Sequence, residues 1–193
     1  MTHGISSERI LGAVLAGGQS SRFGSDKALA LLGNKALLVH ATERLAKVSD
    51  TVIICGRTEG KGIAIPDRPA GNLGPLGGLN AALHYARDHG FDRVLSAGCD
   101  TPILPDHLLR RLTEQPDSTI FDHMPIVGIW SSNLADALDS HLEHGDDRSV
   151  KRWARSIGVR VLLSEEAIPN INTPDELDAI SVAQGGVQSP RRR

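Results

Sequence analysis

The stretch Leu15-Ala16-Gly17-Gly18-Gln19-Ser20-Ser21-Arg22-Phe23-Gly24-Ser25-Asp26-Lys27 sets two adjacent glycines ahead of an arginine and a lysine. Paired glycines let a backbone approach a ligand closely and turn N–H groups toward it. Arg22 adds a planar fork of donors and Lys27 a compact point charge, the usual pair for a polyphosphate. The spacing is not a Walker loop, since no Gly-Lys-Ser/Thr follows, and it is not G-x-G-x-x-G. A glycine turn with two solvated cations is the plainer alternative. Asp100, in Gly98-Cys99-Asp100-Thr101-Pro102, places a carboxylate just past an apolar run. That suits Mg2+, which takes one or two carboxylates and fills its shell with phosphate oxygens and water. Asp67, ahead of Arg68-Pro69, reads either as a ligand contact or as a turn aspartate. Gly74–Gly78 is able to present backbone groups to a base edge. Neither a G-x-S-x-G elbow nor a Cys–His pairing offers a side-chain nucleophile.

Such groups need elements to hold them. Ile10–Ala16 is a continuous apolar run of strand length, as expected for a strand covered on both faces. Helical spacing over Ala36–Lys47, Leu79–His89, Asp106–Gln115, Leu134–Glu143, Arg148–Ile157 and Pro174–Ala183 predicts helices, with Asp106 and Thr173 as caps. Thr51–Cys55, Gly62–Ile65, Arg93–Ala97, Pro125–Trp130 and Val159–Leu163 read as strands. The alternation implies a three-layer α/β/α, Rossmann-like fold on a mostly parallel sheet. In such sheets ligands sit beyond the carboxyl ends of the strands, where strand order reverses. The loops Gly17–Lys27, Pro66–Gly78 and Gly98–Pro102 all follow strands, so they converge on one edge. A single domain over residues 1–184 and a disordered tail over 185–193 are expected.

Composition narrows the classes. The chain has 193 residues, with Lys+Arg 21 against Asp+Glu 23 and only 3% aromatics, so neither a basic field nor a stacking platform points to nucleic acid. Two cysteines, Cys55 and Cys99, form no C-x-x-C and fit a reducing cytoplasm. No apolar run approaches the roughly 20 residues of a membrane span. His141 and His144 read as a solvated helix end rather than a metal pair. Arg148, Lys151, Arg152 and Arg155 form a basic helical stripe that is solvated or meets an acceptor's phosphate or a carrier protein.

The first loop resembles the L-A-G-G-x-S-x-R-M-G-x-D-K-A-L motif of the molybdenum cofactor guanylyltransferases, with Phe23 in place of the usual methionine. Gly74-Pro75-Leu76-Gly77-Gly78, Cys99-Asp100-Thr101-Pro102 and Asn170-Ile171-Asn172-Thr173-Pro174 follow in the family's order, from Ile10 to about Ile180. The resemblance implies a nucleotidyltransferase that joins GMP from GTP to the terminal phosphate of molybdopterin and releases pyrophosphate. By the same resemblance Lys27, Asp100 and Arg22 are catalytic and Asp100 holds Mg2+. Leu15, Ala16, Gly17, Gly18, Lys27, Asp67, Gly74, Pro75, Leu76, Gly78, Asn170 and Asn172 then contact the substrates. The expected protein is a cytoplasmic monomer with transient contacts to cofactor-biosynthesis or molybdoenzyme-chaperone proteins and none to membrane or nucleic acid. Two departures stand out. Ile54 stands where relatives often carry an asparagine near the nucleotide, and Gln115–Pro125 is shorter than the family's strand and loop on the pterin side. Cytidylyl-transferring cousins carry L-A-A-G, so Gly17-Gly18 favours guanine. A relative with another base or acceptor, cytidylyl or sugar-phosphate, is one alternative. A non-catalytic nucleotide-binding module is the other, and Lys27 together with Asp100 argues against it.

Overall fold

The computed structural model describes residues 8–17, 23, 26–58, 62–71, 73–145, 147–164, 166 and 168–185. The run Ile10–Leu15 (β1) alternates its side chains between two apolar layers. Leu11, Ala13 and Leu15 pack in one core cluster and Val14 in another. A strand buried on both faces must sit mid-sheet, and β1 does, with parallel neighbours on either side.

After β1 come two-residue strands Leu31–Leu32 (β2) and Lys35–Ala36 (β3), a small antiparallel ladder that the apolar pattern did not reveal. Then follow Leu37–Leu45 (α1), Thr51–Cys55 (β4), Ile63–Ile65 (β5), Pro75–Asp88 (α2), Arg93–Gly98 (β6) and Asp106–Thr113 (α3). The chain continues through Thr119–Phe121 (β7), Gly128–Ser131 (β8), Ala135–His144 (α4), Val150–Ser156 (α5), Arg160–Leu162 (β9) and Pro174–Gly185 (α6). Seven strands form one sheet in the order β5-β4-β1-β6-β8-β7-β9. Only β8 runs against its neighbours β6 and β7, so the sheet is mostly parallel as expected.

Helices α2, α4 and α5 cover one face and α1 and α3 the other, which makes the three layers. Trp130 stacks on Trp153 at 5.4 Å between ring centroids in the first layer. A third, smaller cluster joins Phe23, Leu32, Leu37, Ile171 and Leu177, pinning the first loop and the start of α6 together. Phe23 therefore serves the same apolar need a methionine would.

Several sequence expectations shift. Helix α2 begins at Pro75 rather than Leu79, so Pro75, Leu76 and Gly78 belong to its first turns. Asp106 is the first helical residue of α3 with Pro105 in the cap position. Its carboxylate reaches Arg44 at the end of α1 and Lys47 just beyond it, at 2.8 and 2.7 Å. The segment between Gln115 and Pro125 does hold a strand, β7, only three residues long. Ile54 packs into the layer beneath α1 and α3, in the same buried cluster as Ala28 and Cys99. Helix α6 runs through Gly185, and the rest of the expected tail lies outside the described residues.

Candidate active site

The chain steps outward from β1 to β4 and β5, then returns to β6 on the other side of β1. Strand order reverses between β1 and β6, and the loops leaving their carboxyl ends diverge to open a crevice. Lys27 arrives from the first loop and Asp100 from the end of β6. Lys27 Nζ donates to Asp100 Oδ2 and to Asn172 Oδ1, each at 3.3 Å. The Lys27 and Asp100 side chains are 14% and 19% exposed, so the pair is shielded yet open to a ligand.

Each member is held locally. Lys27 opens a 3-10 turn, Lys27–Leu29, capped by Asp26, whose Oδ1 accepts from the Ala28 amide at 3.1 Å. Arg57, just past β4, grips both Asp26 oxygens at 2.5 and 2.6 Å. Asp100 folds back over Gly98, where a Cβ would stand 2.3 Å from its Oδ1. The Asp100 carbonyl accepts from Ile171 N–H at 2.8 Å and ties the Asn170–Pro174 segment to β6. A capping box then fixes Asn172. Glu176 Oε2 accepts from the amides of Asn172 and Thr173, and Thr173 Oγ1 accepts from Glu176 N–H at 3.3 Å.

A second feature lies beside β4. The Asp67 carboxylate sits among Gly17, Gly56, Gly77 and Gly78, positions where any Cβ would press on it at 2.8 to 3.3 Å. Its Oδ1 is buried and accepts no hydrogen bond among the described residues. Burial pushes this carboxyl above the usual range of an aspartate. Gly56 needs its glycine twice over: its φ is 81°, and a Cβ there would lie 2.2 Å from Gly17 Cα.

The expected residues thus divide. Lys27, Asp100 and Asn172 meet directly, and Gly17, Gly78 and Asp67 form the glycine-walled pocket. Leu15 and Leu76 turn their side chains into the core, so only their backbones face outward. Asn170 is exposed and takes part in no described hydrogen bond. Gly18 and Arg22 lie outside the described residues. Arg57 and Asn80, which the sequence reading passed over, both support site residues.

The remaining clusters are spoken for. His141 Nε2 lies 2.9 Å from the Asp147 carbonyl, and His144 Nδ1 the same distance from that of Ser140. Along the basic stripe Lys151 pairs with Asp122, Arg152 with Asp147, and Arg148 donates to the Leu142 and Gly145 carbonyls. His84, Asp136 and Asp139 bring ligand atoms within 4.8 Å of one another. Arg87 already occupies that cluster, 2.8 Å from Asp136 Oδ1 and 3.0 Å from His84 Nδ1, which leaves no room for a second cation. Cys99 is raised to about 11 by burial and is inert as a thiol. No helix among the described residues is long and apolar enough to cross a membrane.

A three-layer sheet with a lysine and a carboxylate facing each other across its switch point defines a nucleotidyltransferase. Residues 12–161 match the MobA-like NTP transferase domain, and the chain belongs to that family. A molybdenum cofactor guanylyltransferase of Rhizobium johnstonii is 33% identical over 192 residues, covering 87% of this chain and 90% of its own length. One of Brucella ovis is 32% identical, covering 90% and 91%. The molybdopterin-guanine dinucleotide biosynthesis protein A of Archaeoglobus fulgidus superposes with a TM-score of 0.74 at 23% identity, over 92% of this chain and all of the other.

Proposed function

We propose that this protein transfers GMP from GTP to the terminal phosphate of molybdopterin, working in the cytoplasm with Mg2+. The convergence of Lys27, Asp100 and Asn172 at the switch point carries the reading. An acceptor phosphate oxygen is already anionic near neutral pH, so it attacks the α-phosphorus without a base. A new P–O bond forms as the bond to the β-phosphate oxygen breaks, and pyrophosphate leaves with the electron pair.

The obstacle is charge, because two polyanions must meet, and the remedy is fixed cations and positioning. Lys27 Nζ, with Asp100 and Asn172 as its only described partners, is free to swing its third donor onto a phosphate. Arg22 adds its fork from the same loop. Asp100 Oδ1 accepts no hydrogen bond among the described residues, and Asn172 supplies a neutral oxygen close by. This all-oxygen donor set fits Mg2+. The ion, when bound, neutralises charge on the reacting phosphates. Backbone groups of Gly17 and the α2 start approach the nucleotide, Gly18 is assigned beside them only by its place in the motif, and Asp67 takes N–H donors from the base. Guanine presents N1–H and N2–H2 on one edge, donors that the exposed part of the half-buried Asp67 carboxylate can accept.

The test is pyrophosphate release with GTP and molybdopterin. Lys27→Ala is expected to weaken GTP binding with the fold intact. Asp100→Asn is expected to cut turnover of order a thousandfold while GTP still binds, since metal-centred stabilisation of several kcal/mol acts mainly in the transition state. Equal turnover with CTP, or none from the unaltered protein, overturns the reading.

A further inference from the structure

The residue after Asp67 is tied to α2 through both of its peptide groups. Arg68 N–H donates to the Gly77 carbonyl at 3.1 Å, and the Arg68 carbonyl accepts from Asn80 Nδ2 at 3.2 Å. Asn80 is fully buried on a helix face otherwise given to Leu79, Leu83 and Ala86. Its Nδ2 also donates to Asp139 Oδ1 at 2.6 Å, and both partners being acceptors fixes the orientation of the amide. Its Oδ1 is buried with no partner among the described residues. A buried amide left half satisfied is costly, so its place here calls for a return.

That return is visible in Asp67. The loop beyond it is exposed at Arg68, Pro69 and Ala70, and its next apolar anchor in the core is Leu73, six residues past Asp67. One oxygen of the half-buried Asp67 carboxylate has no partner among the described residues and is better solvated outside, so a loose loop would swing Asp67 into water. We propose that Asn80, backed by Asp139, is a positioning residue that fixes the Arg68 carbonyl and so keeps Asp67 in its glycine-walled pocket. The inference rests on the role proposed above for Asp67. Asp139 is itself braced, by His84 Nε2 at 2.8 Å and Arg68 Nε at 3.6 Å. Arg87 donates to His84 Nδ1, which leaves the imidazole proton on Nε2, facing Asp139. The relay thus runs from α4 through α2 to the nucleotide loop, and its described members touch none of Lys27, Asp100 or Asn172.

Steady-state kinetics on the full chain test it. Asn80→Ala is expected to raise the KM for GTP about tenfold, the scale of one lost buried hydrogen bond. The KM for molybdopterin and kcat stay unchanged, and preference for GTP over CTP narrows. Asp139→Asn, which keeps the shape, acts in the same direction and serves if Asn80→Ala fails to fold. The decisive arm is a double-mutant cycle: in an Asp67→Asn background, Asn80→Ala adds nothing further. Leu142→Ala, a cavity in the packing of α4, is expected to lower Tm and leave the KM for GTP alone. If Asp67→Asn weakens GTP and Asn80→Ala adds its full effect on top, or lowers only Tm, this inference falls and the Asp67 reading stands. If Asp67→Asn changes nothing, both fall.

Discussion

Asp67 holds a negative charge where burial opposes it, which links its titration to folding. An unfolded aspartate titrates near about 3.9, and burial raises the folded value. Between the two, the native state binds the extra proton, so this group's contribution to stability falls as pH rises through that window and stays reduced above it. Asp67→Asn removes the charge and keeps the shape. It is therefore expected to raise Tm at neutral pH while weakening GTP. The gain shrinks as pH falls toward the unfolded value. Tm against pH for both proteins checks it, and a lower Tm for the variant at neutral pH contradicts the account. At this scale the sequence placed Lys27 and Asp100 on loops that the sheet brings together, as their 3.3 Å contact shows, whereas Asp67 read equally as a ligand contact or a turn aspartate. Asn80 was hidden: an asparagine in a helix shows nothing of a carbonyl twelve positions back. Arg57 was hidden for the same reason, since its pairing with Asp26 exists only after β1 and β4 align.

The elements that bring these residues together meet through glycine. Gly56 at the end of β4 and Gly17 at the end of β1 approach so closely that the chain has room for neither Cβ. Gly56→Ala would combine a positive φ with a backbone overlap, so it is expected to destabilise by at least about 2 kcal/mol. In urea the midpoint should fall with the slope unchanged; an unshifted midpoint would mean the two strands can part without penalty. Gly62→Ala is the comparison, since a positive φ there meets nothing within 4 Å. Element type was readable wherever period and burial agree, as in β1, β4, β6 and α3. It blurred where they part. The first turns of α2 carry Gly77 and Gly78, which conceal a helix that Pro75 already begins. The three residues of β7 are buried without alternation, and β2 and β3 are too short for any period to register.

Across the whole molecule the sheet order divides the work. The β5-β4-β1 half carries the glycine loop and the Asp67 pocket, and under the proposed function the β8-β7-β9 half, beyond β6, would take the acceptor. Lys27 and Asp100 stand on the seam. A nucleotide lying across the first half and reaching the seam with its phosphates binds only the folded chain, so it raises apparent stability by mass action. At a GTP concentration near 100 times Kd the gain is about 2.7 kcal/mol, or roughly 5–10 °C in Tm. CTP lacks the paired N–H donors that the proposed function assigns to Asp67, so its shift at equal concentration should be smaller. Mg2+ should enlarge the GTP shift in the unaltered protein and fail to do so in Asp100→Asn, while Lys27→Ala should reduce the shift with or without the ion. This pattern separates base recognition in one half from phosphate and metal binding at the seam. An equal shift with CTP would remove guanine selection from the first half. A Mg2+ effect that survives Asp100→Asn would move the metal off the end of β6, and the chemistry would then need a different carboxylate.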